Sequence, residues 1–212
     1  MRRFTQTAFA LLYNRLAWVY DAVAWLASLG EWERWGGCAL PFLVDGVLEL
    51  AHGPGHLHAQ LRQRFEHVVG IDLSRQMGLL ALRNLSKSDG WSPALARANA
   101  MRLPFADGAF ACVVSTFPAP FIFATATLSE ARRVLAETGR LVIVPGATFS
   151  GNTLPMRALS AIYRLTGQGT ADTARVAAHL AAHGFALTEH TTRTRHADVT
   201  VWGCEKRRTD DG

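Results

Sequence analysis

At 212 residues, 49% of them hydrophobic, the chain has the length for one ordinary domain and the material for a large core. Its net charge of +5 is moderately basic, but the arginines are spread along the whole chain, which argues against a nucleic-acid-binding stripe. Cys38, Cys112 and Cys204 are odd in number and far apart, which excludes a disulfide framework and a cysteine zinc site and makes a reducing cytoplasm the default compartment.

Leu12, Leu16, Val19, Val23 and Leu26 fall at helical spacing and predict a helix with an apolar face. Two arginines lead into it as in a signal peptide, but Asn14, Arg15 and Asp21 interrupt it, and the uncharged run 22–30 is too short to span a bilayer. The expectation is a helical segment over 1–40 packed as a lid on the domain that follows. Trp18, Trp25, Trp32 and Trp35 sustain a second expectation, peripheral contact with a membrane surface, because indoles favour lipid interfaces.

Val47, Leu48 and Leu50 form a short apolar run of the kind found in parallel strands covered on both faces. Gly53 and Gly55 follow, with Pro54 stiffening the turn between them, and let the backbone bend and approach a ligand. Leu57, Leu61 and Phe65 then mark a helix whose first amides face that ligand. A second strand ends on Asp72, placed to accept both hydroxyls of a ribose, and Glu49 stands in the first strand. A dinucleotide fingerprint needs glycine or alanine three residues after Gly55; His58 stands there, so NAD and FAD are disfavoured.

Ser74 is a natural N-cap for a helix bearing Met77, Leu80 and Leu82 that runs to about Lys87. Short strands are expected at 94–98, 111–116 and 140–144. A helix with Leu154, Leu159 and Ile162 lies between Gly151 and Gly167, an insertion at about 150–168 placed where a substrate lid would sit. A further helix over 172–183 closes at Gly184, an antiparallel pair spans 186–195 and 198–206, and 207–212 is a polar tail. His179 and His183 have metal-ligand spacing but no third ligand, so no metal is expected. His52, His56 and His58 gather at the glycine turn; His52 is the first candidate for a general base.

Four motifs in order carry a family resemblance. ELAHGPG and GIDLSRQM resemble the first two motifs of class I S-adenosylmethionine-dependent methyltransferases, ANAMRLPFADGAFACVVSTFP resembles their fourth-strand segment, and LSEARRVLAETGRLVIV resembles their following helix and fifth strand. YNRLAWVYDAVAWLASLGEWERW resembles the N-terminal helix of the ubiquinone/menaquinone-biosynthesis subgroup. There are departures: Ala51 replaces the usual first glycine, Asn99 a common aspartate, Ala111 another aspartate, and Glu137-Thr138 a Pro-Gly.

The resemblance implies a doubly wound, Rossmann-like α/β fold, with a seven-stranded mostly parallel sheet, an antiparallel last strand and helices on both faces, spanning 41–206. It implies S-adenosyl-L-methionine as cofactor, held by Tyr20, Glu49, Ala51, Gly53, Gly55, Asp72, Leu73, Met77, Asn99, Ala100, Met101, Ser115 and Thr116. The expected partner is a small, apolar, quinol- or phenol-like acceptor. Ser115-Thr116-Phe117-Pro118 is not the Asn/Asp-Pro-Pro-Tyr tetrad of methyltransferases acting on nucleic-acid amines, which removes that substrate class. Phe117, Pro118, Phe121 and Phe123 suggest an apolar wall, either pocket or core. A phospholipid amine methyltransferase and a cofactor-binding protein without activity stand as alternatives; an NAD-dependent reductase is opposed by His58. Oligomeric state is open.

Overall fold

The computed structural model describes residues 31–86, 94–149 and 173–207. The N-terminal helix with Tyr20, the insertion at about 150–168 and the tail beyond Arg207 lie outside the described residues.

Strands β1 (Val47–Leu50), β2 (Val68–Asp72), β3 (Leu95–Arg97), β4 (Phe110–Thr116), β5 (Leu135–Phe149), β6 (Phe185–Arg193) and β7 (Ala197–Lys206) join in one sheet in the order β3-β2-β1-β4-β5-β7-β6. The first five run parallel to their neighbours. β7 runs antiparallel to both β5 and β6, which agrees with the expected topology. Among the described residues the α-helices are α1 (Trp32–Gly37), α2 (His56–Arg64), α3 (Arg75–Leu85), α4 (Thr125–Val134) and α5 (Thr173–Ala182).

Alternation along the central strands makes two cores, because successive side chains leave a strand on opposite faces. Val47, Cys112, Val114, Val142 and Val144 meet Trp35, Leu57 and Leu61 of α1 and α2. Leu48, Leu50, Val113, Leu141 and Ile143 meet Leu128, Ala131 and Val134 of α4 and Leu180 of α5. A fully buried aliphatic side chain of this kind contributes about 1.5–3 kcal/mol. The sheet is therefore covered on both faces, and its central strands need no polar side.

Local signals place several boundaries well. Ser74 caps α3, its hydroxyl accepting the Met77 amide at 3.3 Å. The buried face of α3 is Met77, Ala81 and Leu85, and Leu82 is 43% exposed. Strand β5 is far longer than 140–144 because β7 pairs with it from Arg140↔Glu205 out to Phe149↔Ala197. Ahead of β1, both oxygens of Asp45 hold the entry to β2: Oδ1 accepts the Glu66 and His67 amides, and Oδ2 meets His67 Nδ1 at 2.6 Å. The His67 side chain and amide bring the Asp45 carboxyl down to about 2, and the carboxylate in turn raises the imidazole.

Glu31 anchors α1. Its carboxylate, only 6% exposed, accepts from Trp35 Nε1, the Thr194 hydroxyl and the His196 amide, tying the helix to the β6–β7 turn. Trp35 is fully buried, and Trp32 is half-buried against Phe117. Trp35 is thereby committed to the protein interior and Trp32 is packed on Phe117 at the cleft; Trp18 and Trp25 lie outside the described residues. Among the described residues no helix is long and apolar enough to cross a membrane.

Candidate active site

The turn after β1 carries three left-handed residues: Ala51 at φ 57°, Gly53 at 54° and Gly55 at 88°. The two glycines serve different purposes. A Cβ on Gly53 would meet nothing within 4 Å, which leaves its backbone open to a ligand. A Cβ on Gly55 would press on Ala81 at 3.2 Å and Leu85 at 3.3 Å, so that glycine packs α2 against α3.

Ala51, which replaces the usual first glycine of the motif, has the left-handed backbone that a glycine would adopt without strain. A left-handed alanine costs roughly 1–2 kcal/mol, partly offset on replacement by the greater unfolded-state freedom of glycine. Ala51→Gly is therefore expected to stabilise the protein by about 0.5–1 kcal/mol, a rise of about 2–4 °C in a thermal melt. A lower melting temperature would show that the methyl group packs more usefully than the backbone suffers.

Asp72, at the end of β2, is 9% exposed and braces this turn. Its Oδ2 accepts the Gly53 amide at 3.0 Å and its Oδ1 accepts the Ser74 amide at 2.7 Å. A carboxylate has about four acceptor positions, so two remain for a ligand's hydroxyls. The bracing role was missed at the sequence level, where only the ribose was considered. Leu73 beside it is 62% exposed, and Met101 across the β3 end is 42% exposed, two apolar side chains free to cover a flat ligand. Asn99 Oδ1 accepts the Met101 amide at 2.9 Å and so shapes that turn, while Ala100 packs on the core. Met77 is fully buried and supports the site from beneath.

Glu49 and His58 form a buried pair, with His58 Nδ1 3.0 Å from Glu49 Oε2 and both side chains shielded from solvent. Gly70 makes room for the ring: a Cβ there would lie 3.0 Å from His58 Nδ1. His58 thus fills the space that a third glycine would leave open. His52, 5% exposed, has Nδ1 2.8 Å from the Gly53 carbonyl. A carbonyl only accepts, so Nδ1 carries the proton and Nε2 of the neutral ring is left as an acceptor.

Across the cleft, Ser115 is fully buried and its hydroxyl donates to the Leu50 carbonyl at 3.0 Å, tying β4 to β1. Thr116 and Phe117 reach the cleft, whose other walls include Trp32, Glu49, His52 and Gly53. Tyr20 lies outside the described residues. His179 Nε2 meets the Phe123 carbonyl, and His183 meets the His179 carbonyl and the Thr125 hydroxyl. Among the described residues no group of three His, Cys, Asp or Glu could hold a metal ion. A second groove, at the opposite ends of β4 and β5, has its cations committed to the fold, Lys206 to the Leu135 carbonyl and Arg133 to Glu130 and Asp107.

Residues 47–139 match a methyltransferase domain family. The chain is 34% identical over 140 residues to the demethylmenaquinone methyltransferase of Thermus thermophilus, covering 63% of each sequence. It is likewise 34% identical to that of Beutenbergia cavernae, covering 72% of this chain and 61% of the relative. By these matches residues 47–139 are a methyltransferase domain. The chain spans a little under two thirds of the length of these curated relatives. The fold agrees: the S-adenosylhomocysteine-bound magnesium protoporphyrin IX methyltransferase of Synechocystis PCC 6803 superposes with a TM-score of 0.61 at 18% identity, over 95% of this chain and 99% of that one. In this domain the glycine turn, the Asp72 brace and the cleft all stand at the carboxyl ends of the parallel strands.

Proposed function

We propose that this methyltransferase transfers a methyl group from S-adenosyl-L-methionine to a small apolar acceptor of the quinol type. The observation that carries the reading is the clasp of Asp72 on the Gly53 amide, which holds an open glycine backbone and a carboxylate with spare acceptor positions side by side. The residues fit the cofactor: Gly53 for close approach, Asp72 for the ribose hydroxyls, exposed Leu73 and Met101 for the adenine, and Glu49 for the amino-acid ammonium. When bound, S-adenosylmethionine supplies an electrophilic methyl on a positively charged sulfur.

The chain's own work is to align and shield. Holding two reactants on one line contributes on the order of 7–11 kcal/mol without any covalent step by the protein. Glu49 favours positive charge in the cleft, and Trp32 and Phe117 exclude water from it. His52 Nε2 is a proton acceptor for a phenolic or enolic hydroxyl of the acceptor. The quinol class rests on the named relatives and on this apolar wall.

Calorimetric titration with S-adenosylhomocysteine, with NADH as control, tests the cofactor. Binding in the micromolar range by the former alone is the expected result; heat with NADH only would sink the proposal. Transfer of labelled methyl to a short-chain 2-prenyl-1,4-naphthoquinol then tests the acceptor.

A further inference from the structure

We infer that Phe117 is the acceptor-positioning residue, its ring braced by Trp32 and presented to a flat, uncharged aromatic acceptor at the mouth of the cleft; the inference rests on the methyl-transfer reading above.

Phe117 follows the last residue of β4 with φ at 48°, a left-handed backbone that a bulky side chain rarely adopts. Glycine or asparagine would make this bend at little cost. The bend itself is held by the Phe117 amide, which donates to the Val144 carbonyl at 2.7 Å, a bond any residue but proline could make. The ring is therefore what the strained backbone retains, and strain of this kind gathers where function needs a particular side chain.

The ring lies against Trp32, with centroids 4.0 Å apart and planes inclined at 32°, and Trp35 stands 6.5 Å away. Trp32 reaches this position because α1 crosses close over the end of β4: a Cβ on Gly36 would lie 3.9 Å from Thr116 Oγ1. Phe117 shares the cleft with His52 and Gly53, so a ring resting on it sits beside both the open glycine backbone and the candidate base. Offset aromatic contact favours a flat partner. The ionisable groups on the cleft are Glu33, Glu49, His52 and His56, with no Lys or Arg among the described lining residues. A neutral ring suits that lining, whereas a phosphate or carboxylate would face two glutamates.

The test compares Phe117→Gly and Phe117→Tyr with the wild-type chain by thermal melting, S-adenosylhomocysteine titration and kinetics with 2-prenyl-1,4-naphthoquinol. Phe117→Gly is expected to keep its S-adenosylhomocysteine affinity within about twofold, with its melting temperature set by relief of backbone strain against loss of the ring's packing on Trp32. Its KM for the naphthoquinol is expected to rise about tenfold, with kcat changed less, and Phe117→Tyr is expected to restore it. A Phe117→Gly protein that melts several degrees lower with an unchanged KM would overturn the inference and leave the ring as packing. Should the wild type bind no S-adenosylhomocysteine, or transfer no methyl, the methyl-transfer reading fails on its own. Equilibrium binding of the naphthoquinol to wild type and Phe117→Gly then decides the inference, with equal affinities overturning it and about tenfold weaker binding supporting it.

Discussion

Asp72→Ala is expected to weaken S-adenosylhomocysteine binding by about 100-fold or more and to lower the melting temperature together with it. Hydrogen bonds to a charged group are worth about 1.5–3 kcal/mol each, and the variant loses two that brace the protein besides those it would make to the ribose. The Gly53 and Ser74 amides lose their acceptor, so the glycine turn loosens at its most open point. A stability loss of about 3 kcal/mol, the low end for two such bonds, corresponds to about 6–12 °C in a domain of this size. Asp72→Asn keeps the volume and one oxygen acceptor, and is expected to fall between the two proteins on both scales. Calorimetry and thermal melting together separate the roles. A variant that melts lower yet binds with wild-type affinity would confine Asp72 to bracing the turn.

The largest expected stability effect is at His58. Its ring and the Glu49 carboxylate are buried together, and removing one partner of such a pair costs about 3–5 kcal/mol because the other is left in the interior without its partner. His58→Ala is expected to lower the melting temperature by about 10 °C. Glu49→Gln in the same chain removes the stranded charge and should recover part of the loss. The double-mutant cycle is the decisive measurement: a coupling energy below about 0.5 kcal/mol would show that the two groups do not act as a unit. The cofactor affinity of each variant, read alongside, reports how far the pair holds Glu49 in place for a ligand.

The order of elements was legible because its signals are local. The apolar runs of β1 and β4, the glycine turn and the Ser74 cap each follow from a few neighbouring residues, and each stands where expected. The place of Asp72 at a strand end made it an expected ribose acceptor, and the structure adds its clasp on Gly53, nineteen residues upstream. Length estimates failed where a distant partner set them: β5 extends to Phe149 only because β7 lies beside it. The buried face of α3 was not legible because the surface it covers was unknown: Ala81 with Leu85 faces Gly55.

What the sequence alone determined is the doubly wound frame and, through its four motifs, the likeness to methyltransferases, since strand period, glycine freedom and capping act over a turn or two of chain. What only the tertiary structure decided is how the site is held together. The Glu49–His58 pair, the left-handed backbones of Ala51 and Phe117, the double clasp of Asp72 and the stack of Trp32 on Phe117 all depend on which segments packing brings within a few ångströms of one another. Trp32 and Phe117 are far apart along the chain, and no local pattern distinguishes an indole bound for lipid from one that braces a strained ring.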